Sequence, residues 1–174
     1  MRTFVMIILS AITFVLHVTV APMLTVFGAK IDFIMINVLL IGIFSKKWYP
    51  TVLSAVYLGL LVDITTQYGT YINTWVYLFF GIVVAVMCYL IKQSQIQTSV
   101  ISVFATVCAQ HFLYSFILYI MRLSESFTLA TFVHGIPSAI YTAIISIGLY
   151  YLYRFIFSLQ FMQIKKEDEG KYYI

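Results

Sequence analysis

The chain has 174 residues, of which 63% are hydrophobic, 18% aromatic and only 9% charged, whereas an ordinary soluble domain carries about a quarter charged residues. With a mean hydropathy of +1.01, a water-soluble fold of this size could not hide its apolar surface, so the sequence excludes a soluble globular domain and has room for one compact helical one. Ten Lys and Arg against six Asp and Glu leave a net charge of +4. These cations stand between apolar runs without forming a stripe, which argues against a nucleic-acid partner and reads as a topology signal.

A bilayer crossing takes about 20 apolar helical residues, and backbone groups in lipid must be paired within the segment. The first run, residues 3–21, stops at Pro22. Preceded by Arg2, it has the look of a signal peptide, but it is longer than a usual signal core and no small-x-small cleavage pattern follows, so a retained helix is expected. The second run, 33–44, ends at Ser45-Lys46-Lys47 and is too short for a full crossing at 1.5 Å per residue. A start near Lys30 and Asp32, with their side chains at the interface, repairs most of the deficit; a short or tilted helix is the other solution, and five spans are the fallback. The third run opens at Trp48-Tyr49-Pro50 and reaches Asp63, and the fourth covers 74–91 and stops at Lys92. A polar stretch, 93–99, precedes the fifth run at 100–121, and the sixth covers 132–157. The expected architecture is an all-α integral membrane protein of about six transmembrane helices, residues 1–162, followed by a charged cytoplasmic tail, 163–174.

Charge placement supports six spans with both termini in the cytoplasm. Arg2, Lys46, Lys47, Lys92, Arg154, Lys165, Lys166 and Lys171 then lie inside, and only Lys30 and Arg122 lie outside, as the positive-inside rule demands. Trp48 and Tyr49 mark one boundary, Tyr68, Tyr71 and Trp75 the other, and Tyr150, Tyr151 and Tyr153 the inner edge again, because such rings favour the headgroup level.

Few residues suggest chemistry. Asp63 falls at the end of a span, where it can cap or bond a neighbouring loop, or contact a partner; intramembrane acids are costly and often functional. His17, His111 and His134 lack the spacing of a helical metal motif and suit interhelical hydrogen bonds. His17 continues a polar line with Ser10 and Thr13, and Gln110 continues Ser102 and Thr106, which reads as helix-contact faces. Gly135, Ala139 and Ala143 repeat every four residues, flanked by Ser138, Thr142 and Ser146, and Ala55 and Gly59 are spaced likewise; such stripes serve internal packing or docking of another helix. Pro137 is expected to kink the sixth helix near its start. Cys88 and Cys108, both inside apolar runs, read as small buried residues. No nucleotide-binding, hydrolase or zinc-protease motif is present, so neither an enzyme nor a cofactor is expected.

One segment carries a resemblance. Ile31-Asp32-Phe33 opens a span, an apolar run and a basic pair follow, and then come Gly59-Leu60-Leu61-Val62-Asp63 and, six residues on, Gly69. This pattern resembles the MreD family of bacterial rod-shape-determining membrane proteins, as do the length, helix count and tail. The chain departs from that family in having Ile31 where a proline is usual, and Gln67-Tyr68-Gly69 where Pro-Leu-Gly is common. The resemblance implies a non-enzymatic scaffold in the bacterial cytoplasmic membrane that binds a MreC-type protein and works with MreB, RodA and the elongation-specific penicillin-binding transpeptidase. It also implies that Asp32, Gly59, Asp63 and Gly69 are structural or partner-contact positions. The alternative is a substrate-binding subunit of an energy-coupling-factor transporter, similar in helix layout, for which Asn73, Trp75, Gln110 and His111 are candidate pocket groups.

Overall fold

The computed structural model describes residues 2–25, 29–45, 48–65, 71–90, 96–121 and 135–159. Among them the chain forms six helices and no strand: α1 (Arg2–Thr19), α2 (Phe33–Ser45), α3 (Trp48–Thr65), α4 (Ile72–Leu90), α5 (Ile96–Ile120) and α6 (Ile136–Ser158). Each coincides with one expected run. Three of them, α3, α5 and α6, are long and apolar enough to cross a membrane, while Phe4–Thr19, Phe33–Ser45 and Ile72–Cys88 are shorter apolar helical stretches. The regular structure of the described residues is all helical, and the three apolar helices fit a membrane protein. Phe4, Ile7, Ile64, Trp75, Ile101 and Phe155 are each more than half exposed, so large apolar side chains face outward from five of the six helices, as they do in lipid.

The short second run is the centre of the molecule. Every residue from Phe33 to Gly42 is buried, as is Ser45. A helix that is apolar on all sides belongs in the interior, and α2 packs against all five of the others. Its 13 residues rise only about 20 Å; with helices on every side, it need not match the bilayer by itself.

Contacts fix the helix directions. Asp32, just before α2, meets Tyr77 early in α4, whereas Gly42, late in α2, faces Val84 and Cys88 late in α4 and Thr51 early in α3. Helices α2 and α4 are therefore parallel and α3 is antiparallel to both. Phe44 stacks near Tyr150 and Phe157 at centroid distances of 5.3 and 5.6 Å, so α6 also runs with α2.

The described α6 starts at Ile136 with Pro137 in its first turn, and the chain on the N-terminal side of the expected kink, up to residue 134, lies outside the described residues. Two expectations need correction. Helix α5 begins at Ile96, inside the stretch expected to be a polar separator; Ser99 is buried against the bundle. Tyr150 and Tyr153, expected at the membrane edge, are only 3% exposed each, while Tyr151 between them is 57% exposed. Gly69, His134 and the tail 163–174 lie outside the described residues.

Candidate functional site

The polar interior is built around α2. Asp32 is its N-cap: Oδ1 accepts the Met35 N–H at 3.0 Å, the bond that satisfies one orphan donor of a first turn. The same carboxylate reaches two further helices through Oδ2, which accepts the Tyr77 hydroxyl of α4 at 3.1 Å and the Gln110 amide of α5 at 2.8 Å. The Asp32 N–H in turn donates to Thr142 Oγ1 of α6 at 3.1 Å. Asp32 thus joins α2, α4, α5 and α6 from a position 6% exposed. Beside it, His111 Nε2 lies 3.0 Å from Ser138 Oγ, and Ser138 donates to the Lys30 carbonyl. The serine proton is spent on that carbonyl, so the imidazole donates to Ser138; this pair is not a nucleophile with its base.

One turn deeper in α2, Asn37 Nδ2 donates to Ser10 Oγ of α1 at 3.2 Å, and its Oδ1 accepts the Tyr153 hydroxyl of α6. This is where the inward-facing polar line of α1 leads. Tyr153 is buried for the same reason, its hydroxyl needing a partner away from water.

Asp63 performs a separate, local task. In α4 the residue preceding the first turn is Tyr71, whose carbonyl accepts the Trp75 N–H but whose ring offers no acceptor to the next N–H groups. Asp63 supplies it from α3, accepting Asn73 N–H and Nδ2 at 3.1 and 2.9 Å on Oδ1, and Thr74 N–H and Oγ1 at 2.7 and 2.5 Å on Oδ2. An anion at a helix N-terminus also complements the helix dipole. One turn earlier, Gly59 lets the helices touch: a Cβ there would lie 2.8 Å from Thr74 Cα. Gly81 faces Ala55 so closely that its own Cβ would come within 2.6 Å of that methyl group. Gly59 and Asp63 therefore form a clamp that closes the α3–α4 hairpin.

The small-residue stripe of α6 also faces inward. Gly135 is buried, as are Ala139 at 0% and Ala143 at 7% exposed, and the opposite face presents Ile136, Ile140, Ile144 and Ile147. Of the four candidate pocket groups, Gln110 and His111 come to the α2 entrance, Asn73 is engaged by Asp63, and Trp75 is 69% exposed. Tyr77, Thr142, Asn37 and Tyr153 complete the polar interior; of these, the lone Asn37 in an otherwise apolar run was the signal open to sequence reading. No group of three or more His, Cys, Asp or Glu with metal-binding placement occurs among the described residues. Comparison with protein-family models, with curated proteins and with solved structures returned no match.

Proposed function

We propose that this protein is a non-enzymatic scaffold of the bacterial cytoplasmic membrane, crossing it six times with both termini inside, that binds a MreC-type partner and helps organise cell-wall synthesis during elongation. The reading rests on the resemblance of the 30–81 segment to the MreD family. The observation that carries it is the use of that segment's distinctive residues: Gly59 and Asp63 close one helix pair and Asp32 ties the central helix to three others. Residues engaged in holding helices together suit a rigid platform whose outer faces meet other membrane proteins.

Purification from the native host in mild detergent, with mass spectrometry of the co-purifying proteins and retained small molecules, tests it. Recovery of a MreC-like protein with wall-synthesis enzymes supports the scaffold. Recovery of a coupling subunit with two ATPases, or of a bound vitamin, overturns it in favour of the transporter subunit. Orientation is tested separately at Trp48, which is 70% exposed. In a chain lacking Cys88 and Cys108, Trp48→Cys should react with an impermeant maleimide only after the cells are opened; labelling of intact cells would defeat the six-span arrangement.

A further inference from the structure

The Asp32 cluster holds more acceptor capacity than its neighbours fill. The three donors to its carboxylate, Met35 N–H, the Tyr77 hydroxyl and the Gln110 amide, are all neutral. Among the described residues no ammonium, guanidinium or imidazole lies within ion-pair distance of it: the Lys30 side chain is exposed and His111 is directed to Ser138. Gln110 is 8% exposed, and its Oε1 is buried with no partner. A buried polar atom left so is costly and asks for a reason. Turning the amide over does not supply one, because Oε1 would then face Asp32 Oδ2, and two acceptors in contact need positive charge between them.

In either orientation, an unfilled oxygen acceptor stands beside a buried carboxylate. Tyr77 Oη is bonded to the same carboxylate oxygen as the Gln110 amide, so oxygen-bearing groups from the α2 entrance, α4 and α5 meet at Asp32 Oδ2. Oxygen-only sets suit hard cations. A single carboxylate balances one positive charge, and burying it without a counter-charge is expensive. We propose that the Asp32–Gln110 cluster binds a small monovalent cation, held by the Asp32 carboxylate, Gln110 Oε1 and the Tyr77 hydroxyl oxygen. This goes beyond the scaffold reading and does not depend on it.

The test uses the purified full-length chain in detergent, with thermal unfolding followed in choline chloride as sodium, potassium or ammonium chloride replaces it at constant ionic strength. One of the three should raise the midpoint in a saturable binding curve, by about 3 °C for each tenfold rise of cation above its dissociation constant. Asp32→Asn keeps an acceptor for Met35 and Tyr77 but removes the charge, and should abolish the response. Gln110→Leu should weaken the response about tenfold or more. Should either variant fail to fold, binding of radiolabelled sodium to the wild-type chain, competed by unlabelled sodium, potassium or ammonium but not by choline, keeps the proposal testable. A midpoint in all three salts equal to that in choline overturns it, as does an unchanged cation response in folded Asp32→Asn.

Discussion

Asp32 and Asp63 are both buried aspartates whose carboxylates cap the start of a helix, Asp32 its own and Asp63 the next one, yet they hold the molecule together in different ways. Asp63 binds residues ten and eleven positions away and joins two helices that are already neighbours in the chain. Asp32 caps its own helix and then reaches partners 45, 78 and 110 positions away. The first secures a hairpin that sequence proximity favours anyway. The second brings together elements that only the completed bundle places side by side. Long-range polar contacts inside lipid-embedded bundles fix which face of a helix looks inward, because the surrounding apolar packing alone discriminates weakly between rotations.

The largest expected effect is therefore at Asp32. Asp32→Ala leaves the Gln110 amide, the Tyr77 hydroxyl and the Met35 N–H without an acceptor in the interior, and unmade buried bonds cost about 1–3 kcal/mol each. A loss of about 3 kcal/mol or more is expected in reversible unfolding in mixed micelles, with α2, α4 and α5 losing hydrogen-exchange protection together. Gly59→Ala comes next. A methyl group 2.8 Å from Thr74 Cα meets backbone that cannot step aside, and overpacking of this kind costs about 1–3 kcal/mol. Cross-linking between α3 and α4 would report the widened hairpin.

Asp63→Ala should cost about 1–2 kcal/mol, the range of a lost helix cap, with exchange rising only in the first turn of α4. Its four donors include the Asn73 and Thr74 side chains, which can bond elsewhere at the end of the helix. If Asp63→Ala proved more damaging than Asp32→Ala, or loosened α5 and α6, the distinction between a local clamp and a long-range tie would fail.

The sequence made the helices legible and left most of their rotations hidden. Lipid requires long apolar runs with polar breaks, so all six helices could be placed from hydrophobicity alone. The role of α2 is accessible too, since residues 33–44 are apolar on all sides apart from Asn37, although so short a run also poses the question of its fit to the bilayer. Tyr150, Tyr151 and Tyr153 show the limit: successive helical residues point about 100° apart, and an aromatic ring near a helix end looks the same in sequence whether it meets headgroups or the core. The Asp63 contact was readable as a bond to the neighbouring loop because its partners are close along the chain. No spacing rule connects Asp32 with Tyr77, Gln110 and Thr142.

The smallest expected effect has the opposite sign and isolates what glycine does at Gly59. Gly148, late in α6, is exposed, and a Cβ there would meet nothing within 4 Å. Gly148→Ala therefore adds no clash and removes the entropic penalty of glycine within a helix, a gain of about 0.5–1 kcal/mol. The same methyl group thus stabilises on the outer face of α6 and destabilises at the α3–α4 contact. Measured side by side in one detergent, the two variants should move the unfolding midpoint in opposite directions. Two losses of similar size would mean that the outer face of α6 near Gly148 is closely covered in the micelle, and that proximity to α4 is not what sets the need for glycine at position 59.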